Sequence, residues 1–261
     1  MTIKTLYTNG CSWTADNSIA RDVDFKRPLA NQDTSLMNFA WPKFLGDNIG
    51  ANVINDSTGG GSNYRIVRCT IDFIMSLPVE KRKETLVVIG WTLPDRNEIY
   101  LDDGKTGKGE WFKFNNGQPF STFDEVDKLG KGRVRQVDEY QQTYIYISDI
   151  YSGNASVDIF FQQIYLLKNL LENIEIPFLF FMALPWHWEH NALVEKQEKT
   201  EQIVNEINRG QNVMDIRTSM LDFMHNNKLP MSTCIHPLPS SHRVWAQHIT
   251  EQLRARLIIG E

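Results

Sequence analysis

Four short segments of the chain carry side chains able to do chemistry. Ser12 lies in Thr8-Asn9-Gly10-Cys11-Ser12-Trp13-Thr14, directly after a strand-like run, Ile3–Asn9. In open α/β sheets ligands bind beyond the carboxyl ends of the strands, so a serine there is well placed. Its hydroxyl is a weak nucleophile until a base takes the proton. A histidine is needed, and Cys234-Ile-His236-Pro237 offers one ahead of the last helical pattern. An imidazole on a proline-flanked loop suits a general base. His242 falls in the first turn of that helix, where the helix dipole disfavours its charged form, and reads as a packing or capping residue.

The other two segments supply polar groups for a developing charge. Ser57-Thr-Gly-Gly-Gly-Ser-Asn63 follows a strand, Ala51–Asp56. Its glycines let the backbone turn tightly and present N–H groups to an oxyanion or a phosphate. Val88-Ile-Gly90-Trp91-Thr92 closes a third strand, and the Thr92 hydroxyl can donate into the same region. Arg96 either binds an anionic or polar substrate or pairs with Asp95 or Glu98. Trp186 and His187 fall on the loop after a fourth strand, where aromatic faces either stack on a sugar or acyl group or simply pack. With Trp13 and Asn63, these three residues are the candidate substrate contacts.

Such residues meet only if strands and helices alternate to hold them. Strand candidates are Ile3–Asn9, Ala51–Asp56, Thr85–Trp91, Pro177–Leu184 and, more weakly, Gln211–Ile216. Leu86-Val-Val-Ile and Phe178-Leu-Phe-Phe-Met are continuously apolar, as strands of a parallel sheet buried on both faces are. After Ser62 and Asn63, either of them a helix cap, Ile66, Cys69, Phe73 and Leu77 form one face, ended by Pro78. Phe160, Ile164, Leu167 and Leu171 repeat at helical spacing. Ala192–Asn208 reads as an exposed, charged helix, and a last helix starts near Ser240. The alternation predicts an α/β sandwich with an open parallel sheet in one domain over residues 1–261. Residues 99–153 break it and read as an insertion that begins with a hairpin around a glycine-rich turn.

Composition narrows the classes further. The 261 residues are 41% hydrophobic and 23% charged, which excludes disorder for most of the chain. A net charge of -5 gives the whole molecule no attraction for nucleic acid or an anionic membrane. No apolar run reaches the roughly 18 residues of a membrane span. Three scattered cysteines and no secretory apolar core at the first residues point to a reducing cytoplasm. Gly104-Lys105-Thr106 lacks the earlier glycine of a phosphate-binding loop, and His187-Trp-Glu-His190 lacks partners for a metal, so neither is taken as a site.

In order and position the four segments resemble the sequence blocks of the SGNH (GDSL-type) hydrolases. The resemblance implies a flavodoxin-like three-layer sandwich around a central parallel sheet. It implies Ser12 as nucleophile, His236 as base, and an oxyanion hole formed by the Ser12 and Gly60 amides with Thr92. Three positions depart from the pattern: Cys11 stands for the family's Asp, Thr92 for its Asn, and Thr233 for the Asp three residues before the histidine. Cys11 is a rival nucleophile, but the family register gives Ser12 the active direction. The implied function is hydrolysis of an O-acyl or O-acetyl ester of a small or carbohydrate substrate, without cofactor or metal. A ligand-binding protein that has lost turnover, and an acyltransferase using the same serine, are the alternatives.

Overall fold

The computed structural model describes residues 2–15, 39–94, 96–102, 109–115, 152–185, 198–233 and 235–260. Strands are β1 (Thr5–Gly10), β2 (Asn52–Asn55), β3 (Thr85–Trp91), β4 (Arg96–Asp102), β5 (Gly109–Asn115) and β6 (Phe178–Met182). Helices are α1 (Ser12–Ala15), α2 (Trp41–Ile49), α3 (Asn63–Ser76), α4 (Val79–Arg82), α5 (Ser152–Asn173), α6 (Glu198–Asn208), α7 (Met220–Asn226) and α8 (Pro239–Ala255).

Four strands form a parallel sheet in the order β2-β1-β3-β6. Every residue of β3 and β6 is buried, which explains their unbroken apolar runs. Alternation then divides the side chains between two cores. Val87, Ile89, Phe178 and Phe180 meet Ile66 and Ile74 of α3 and Phe160, Ile164, Leu167 and Leu171 of α5. Leu86, Val88, Leu179 and Phe181 meet Trp41 and Leu45 of α2, Met220 and Met224 of α7, and Trp245, Ile249 and Leu253 of α8. The fold is the expected three-layer α/β sandwich.

Two expectations need correction. Residues 211–216 do not form a strand. They touch the sheet through one parallel bridge, Phe180 to Val213. The Asp215 carboxylate accepts the Arg217 N–H and its carbonyl accepts the Thr218 N–H, which turns the chain away. The helix α6 is not exposed all round, because Val204 and Ile207 are fully buried against α5. The expected hairpin is present as β4 and β5, paired antiparallel from Arg96–Asn115 to Asp102–Gly109, and β4 begins earlier than residue 99. Its turn, and most of the insertion, lie outside the described residues.

Candidate active site

The Ser12 turn is built on a glycine floor. Gly10 of β1 pairs in register with Gly90 of β3. A Cβ on Gly10 would run into the Thr14 hydroxyl and sit 2.9 Å from the Gly90 carbonyl. One on Gly90 would lie 3.0 Å from both the Thr14 Oγ1 and the Phe181 ring. The missing side chains let α1 fold back onto the strand ends. Thr14 and Ala15 close the turn by donating to the Cys11 carbonyl at 2.9 and 3.0 Å. Cys11 is thereby driven wholly into the core, whereas Ser12 stays partly exposed.

Opposite it stands a tight turn ahead of α8. The Ser232 N–H donates to the His236 carbonyl at 2.8 Å, and the His236 N–H donates to Ser232 Oγ at 3.1 Å. Ile235 adopts φ 62°, and Met231 and Pro237 pair across the turn. The result places His236 Nε2 2.8 Å from Ser12 Oγ. With the ring proton on Nδ1, the serine hydroxyl donates to Nε2. Trp13 is buried, with its ring centroid 6.0 Å from that of His236, so it flanks the pair more than it faces open space. Thr233 is exposed in the same turn, and Cys234 lies outside the described residues.

The glycine-rich loop packs directly on the end of β1. The Thr58 N–H donates to the Gly10 carbonyl at 3.3 Å, and Gly61 leaves no room for a side chain, its Cβ position being 3.0 Å from that same oxygen. Gly60, exposed at the tip, has φ 66°, a conformation glycine adopts without penalty. Ser62 caps α3 by accepting the Arg65 N–H at 3.1 Å. Asn63 is buried and its side chain is occupied with the next strand end. It accepts the Thr92 N–H at 3.1 Å and donates to the Thr92 and Leu93 carbonyls at 3.3 and 2.9 Å. It therefore holds the Thr92 segment in place instead of presenting its amide to a ligand. The Thr92 hydroxyl is buried without a hydrogen-bond partner among the described residues.

Beneath these segments runs a polar network that the motifs do not announce. Tyr7 donates to Asp56 at 3.0 Å, and Arg65 binds the Asp56 carboxylate at 2.8 Å and its carbonyl at 2.6 Å. Asn9, fully buried, donates to the Tyr7 oxygen at 3.1 Å and accepts the Gly10 N–H at 2.8 Å. Asn55 donates to the Thr14 carbonyl at 3.1 Å. Burial, reinforced by the Asp56 charge, pushes the Tyr7 phenol far up, so it remains a donor. The available signal is Asn9, an amide side chain inside a strand, β1, that is buried along nearly its whole length.

Arg96 does not pair with Glu98, which takes Arg68 instead, at 3.0 Å. Its Nε and Nη1 are buried with no acceptor among the described residues. Asp95, Trp186 and His187 lie outside the described residues, as do His190 and its metal motif. Among the described residues no group of three metal-ligating side chains occurs.

A model of a family of unknown function (DUF6071) matches residues 30–260. No curated protein matches. Among solved structures, the psychrotrophic esterase EstA from Pseudoalteromonas sp. is similar at 13% identity, with a TM-score of 0.50 over 97% of this chain and 98% of that one. A lipolytic protein of the G-D-S-L family from Veillonella parvula is 11% identical, with a TM-score of 0.47 over 95% and 97%. An acetyl-xylooligosaccharide esterase from Geobacillus Stearmophilus is 10% identical, with a TM-score of 0.46 over 97% and 95%. At such identities the likeness to EstA shows a shared fold.

Proposed function

The chain belongs to DUF6071, a family of unknown function, and from its strand-end site we propose that it hydrolyses oxygen esters through Ser12 and His236. The observation that carries this is the 2.8 Å contact between Ser12 Oγ and His236 Nε2, made by residues far apart in sequence on a fold shared with an esterase. Such a contact is what a serine needs to lose its proton as it attacks.

Ser12 Oγ bonds to the ester carbonyl carbon while its proton passes to His236 Nε2. The carbonyl oxygen takes up the negative charge. The Ser12 and Gly60 amides, with the Thr92 hydroxyl, are the donors to it. Removing one such donor typically costs about 10²–10³ in rate. The tetrahedral species collapses, the bond to the alcohol oxygen breaks, and His236 returns the proton to that oxygen. Water then attacks the acyl-serine with His236 again as base, releasing the acid. An O-acyl or O-acetyl ester of a small molecule or carbohydrate is the substrate class. Transfer of the acyl group to an alcohol in place of water uses the same serine.

The Thr92 hydroxyl, wholly buried and with no hydrogen-bond partner among the described residues, favours one second reading: a protein that binds a ligand at this site without turnover. Labelling with a fluorophosphonate, read by intact mass and peptide mapping, separates the two. Hydrolysis predicts one adduct on Ser12, lost in Ser12→Ala, retained in Cys11→Ala, and formed about 10²–10⁴ times more slowly in His236→Ala. A folded wild-type protein that takes no label, or takes it at Cys11, overturns the mechanism.

A further inference from the structure

Three arginines lie on α3 or on β4 beside it, and they differ in what answers their charge. Arg65 has Asp56 at 2.8 Å, and Arg68 has Glu98 at 3.0 Å, the Glu98 side chain being almost wholly buried. Arg96 has no carboxylate within ion-pair distance among the described residues. Its Nε and Nη1 are shut off from water with no acceptor among the described residues. A guanidinium cannot shed its proton, so desolvating it without an anion is costly.

Arg96 is also tied to the reacting end of the sheet. Its N–H donates to the Leu93 carbonyl at 3.3 Å, the same oxygen that takes the Asn63 amide at 2.9 Å. That i to i+3 bond closes a turn in which the Leu93 and Arg96 Cα atoms lie within about 7 Å. Thr92 is next to Leu93. Arg96 and Glu98 lie two apart on β4 and share a face, the one that α3 covers through Arg68. Arg96 thus follows the proposed oxyanion donor by a few residues, on the face of β4 that meets α3 through Arg68.

We infer that Arg96 receives an oxyanion group of the substrate, a carboxylate or a phosphate, so that the ester cleaved at Ser12 is an anionic one. This rests on the hydrolase reading for its chemistry. The acceptor that Nε and Nη1 lack among the described residues is supplied by the substrate, and the planar fork matches two oxygens of either group. A hydrogen bond of that kind is worth roughly tenfold to a hundredfold.

The test compares 4-nitrophenyl hydrogen succinate with its neutral methyl ester. Wild type should show a kcat/KM about tenfold or more in favour of the anion. Arg96→Gln should reduce that ratio about tenfold, and Arg96→Lys should restore part of it. In parallel, succinate and inorganic phosphate are added to wild type and Arg96→Gln while thermal unfolding is followed. The anion that raises the wild-type Tm, and not that of the variant, identifies which group is bound. Hydrolysis of both esters at equal efficiency in wild type would overturn the inference and leave the hydrolase reading standing. Stabilisation that depends on Arg96, without hydrolysis of either ester, would support the anion site and overturn the hydrolase reading. Neither hydrolysis nor stabilisation would sink both.

Discussion

His242 occupies the first turn of α8 with no exposed surface, and neither ring nitrogen finds a hydrogen-bond partner among the described residues. Burial, and then the positive charge on nearby His236, depresses its pKa to about 3. The ring is therefore neutral across the pH range in which the proposed hydrolysis would run. This has a measurable consequence. The unfolded chain takes up a proton at this residue near pH 6.5, the folded one only near 3. Between those values the unfolded state binds more protons, so stability falls as the pH drops through that window and is fully present above it. The slope approaches about 1.4 kcal/mol per pH unit. Urea titrations at pH 7 and pH 5 should show wild type losing about 1–2 kcal/mol more than His242→Leu on acidification. Equal losses would mean that His242 is already protonated, or solvated, in the native state. Cys11 and Ser12 make the same point about environment: adjacent residues, one sealed in the core and one partly exposed against an imidazole.

The turn that carries His236 is held partly against its own backbone preference. Ile235 is β-branched, its side chain is half exposed, and its φ is 62°. A left-handed conformation costs a non-glycine residue about 1–2 kcal/mol, and glycine escapes most of it. Little packing is lost on removing a half-exposed side chain. Ile235→Gly should therefore raise stability by about 1 kcal/mol in chemical denaturation. A loss of that size would show that the side chain contributes more by packing than the backbone costs. This turn was legible only as a proline-flanked histidine, because neighbouring residue types do not reveal the hydrogen bonds between Ser232 and His236. Elsewhere the elements were plain. The apolar runs of β3 and β6 announce strands buried on both faces, and Ser62 caps α3 as its position suggests. What escaped depends on register. Tyr7 meets Asp56 only because β1 and β2 pair in parallel, and the buried stripe of α6 becomes visible only with α5 beside it.

The sheet is one wall shared by two cores. Successive residues of β3 alternate between them, Leu86 and Val88 to one, Val87 and Ile89 to the other. Neither layer of helices can leave without exposing strands that the other layer also packs on. Trp91 reports on one side, and Trp41 and Trp245 report on the other. The contact between Ser12 and His236 depends on both, since Ser12 follows β1 at the middle of the sheet and His236 precedes α8 on one face. Damage to either core should then be felt by the whole. Ile164→Ala, on the α5 side, and Leu45→Ala, on the α2 side, each remove a fully buried side chain. Each should cost about 2–5 kcal/mol. Tryptophan fluorescence and far-ultraviolet circular dichroism should give one coincident transition for both variants, at reduced midpoint, as in the wild type. Separate transitions, with fluorescence leading in one variant and lagging in the other, would mean that the two cores come apart independently. The 2.8 Å contact between Ser12 and His236 would then depend on the α8 side alone.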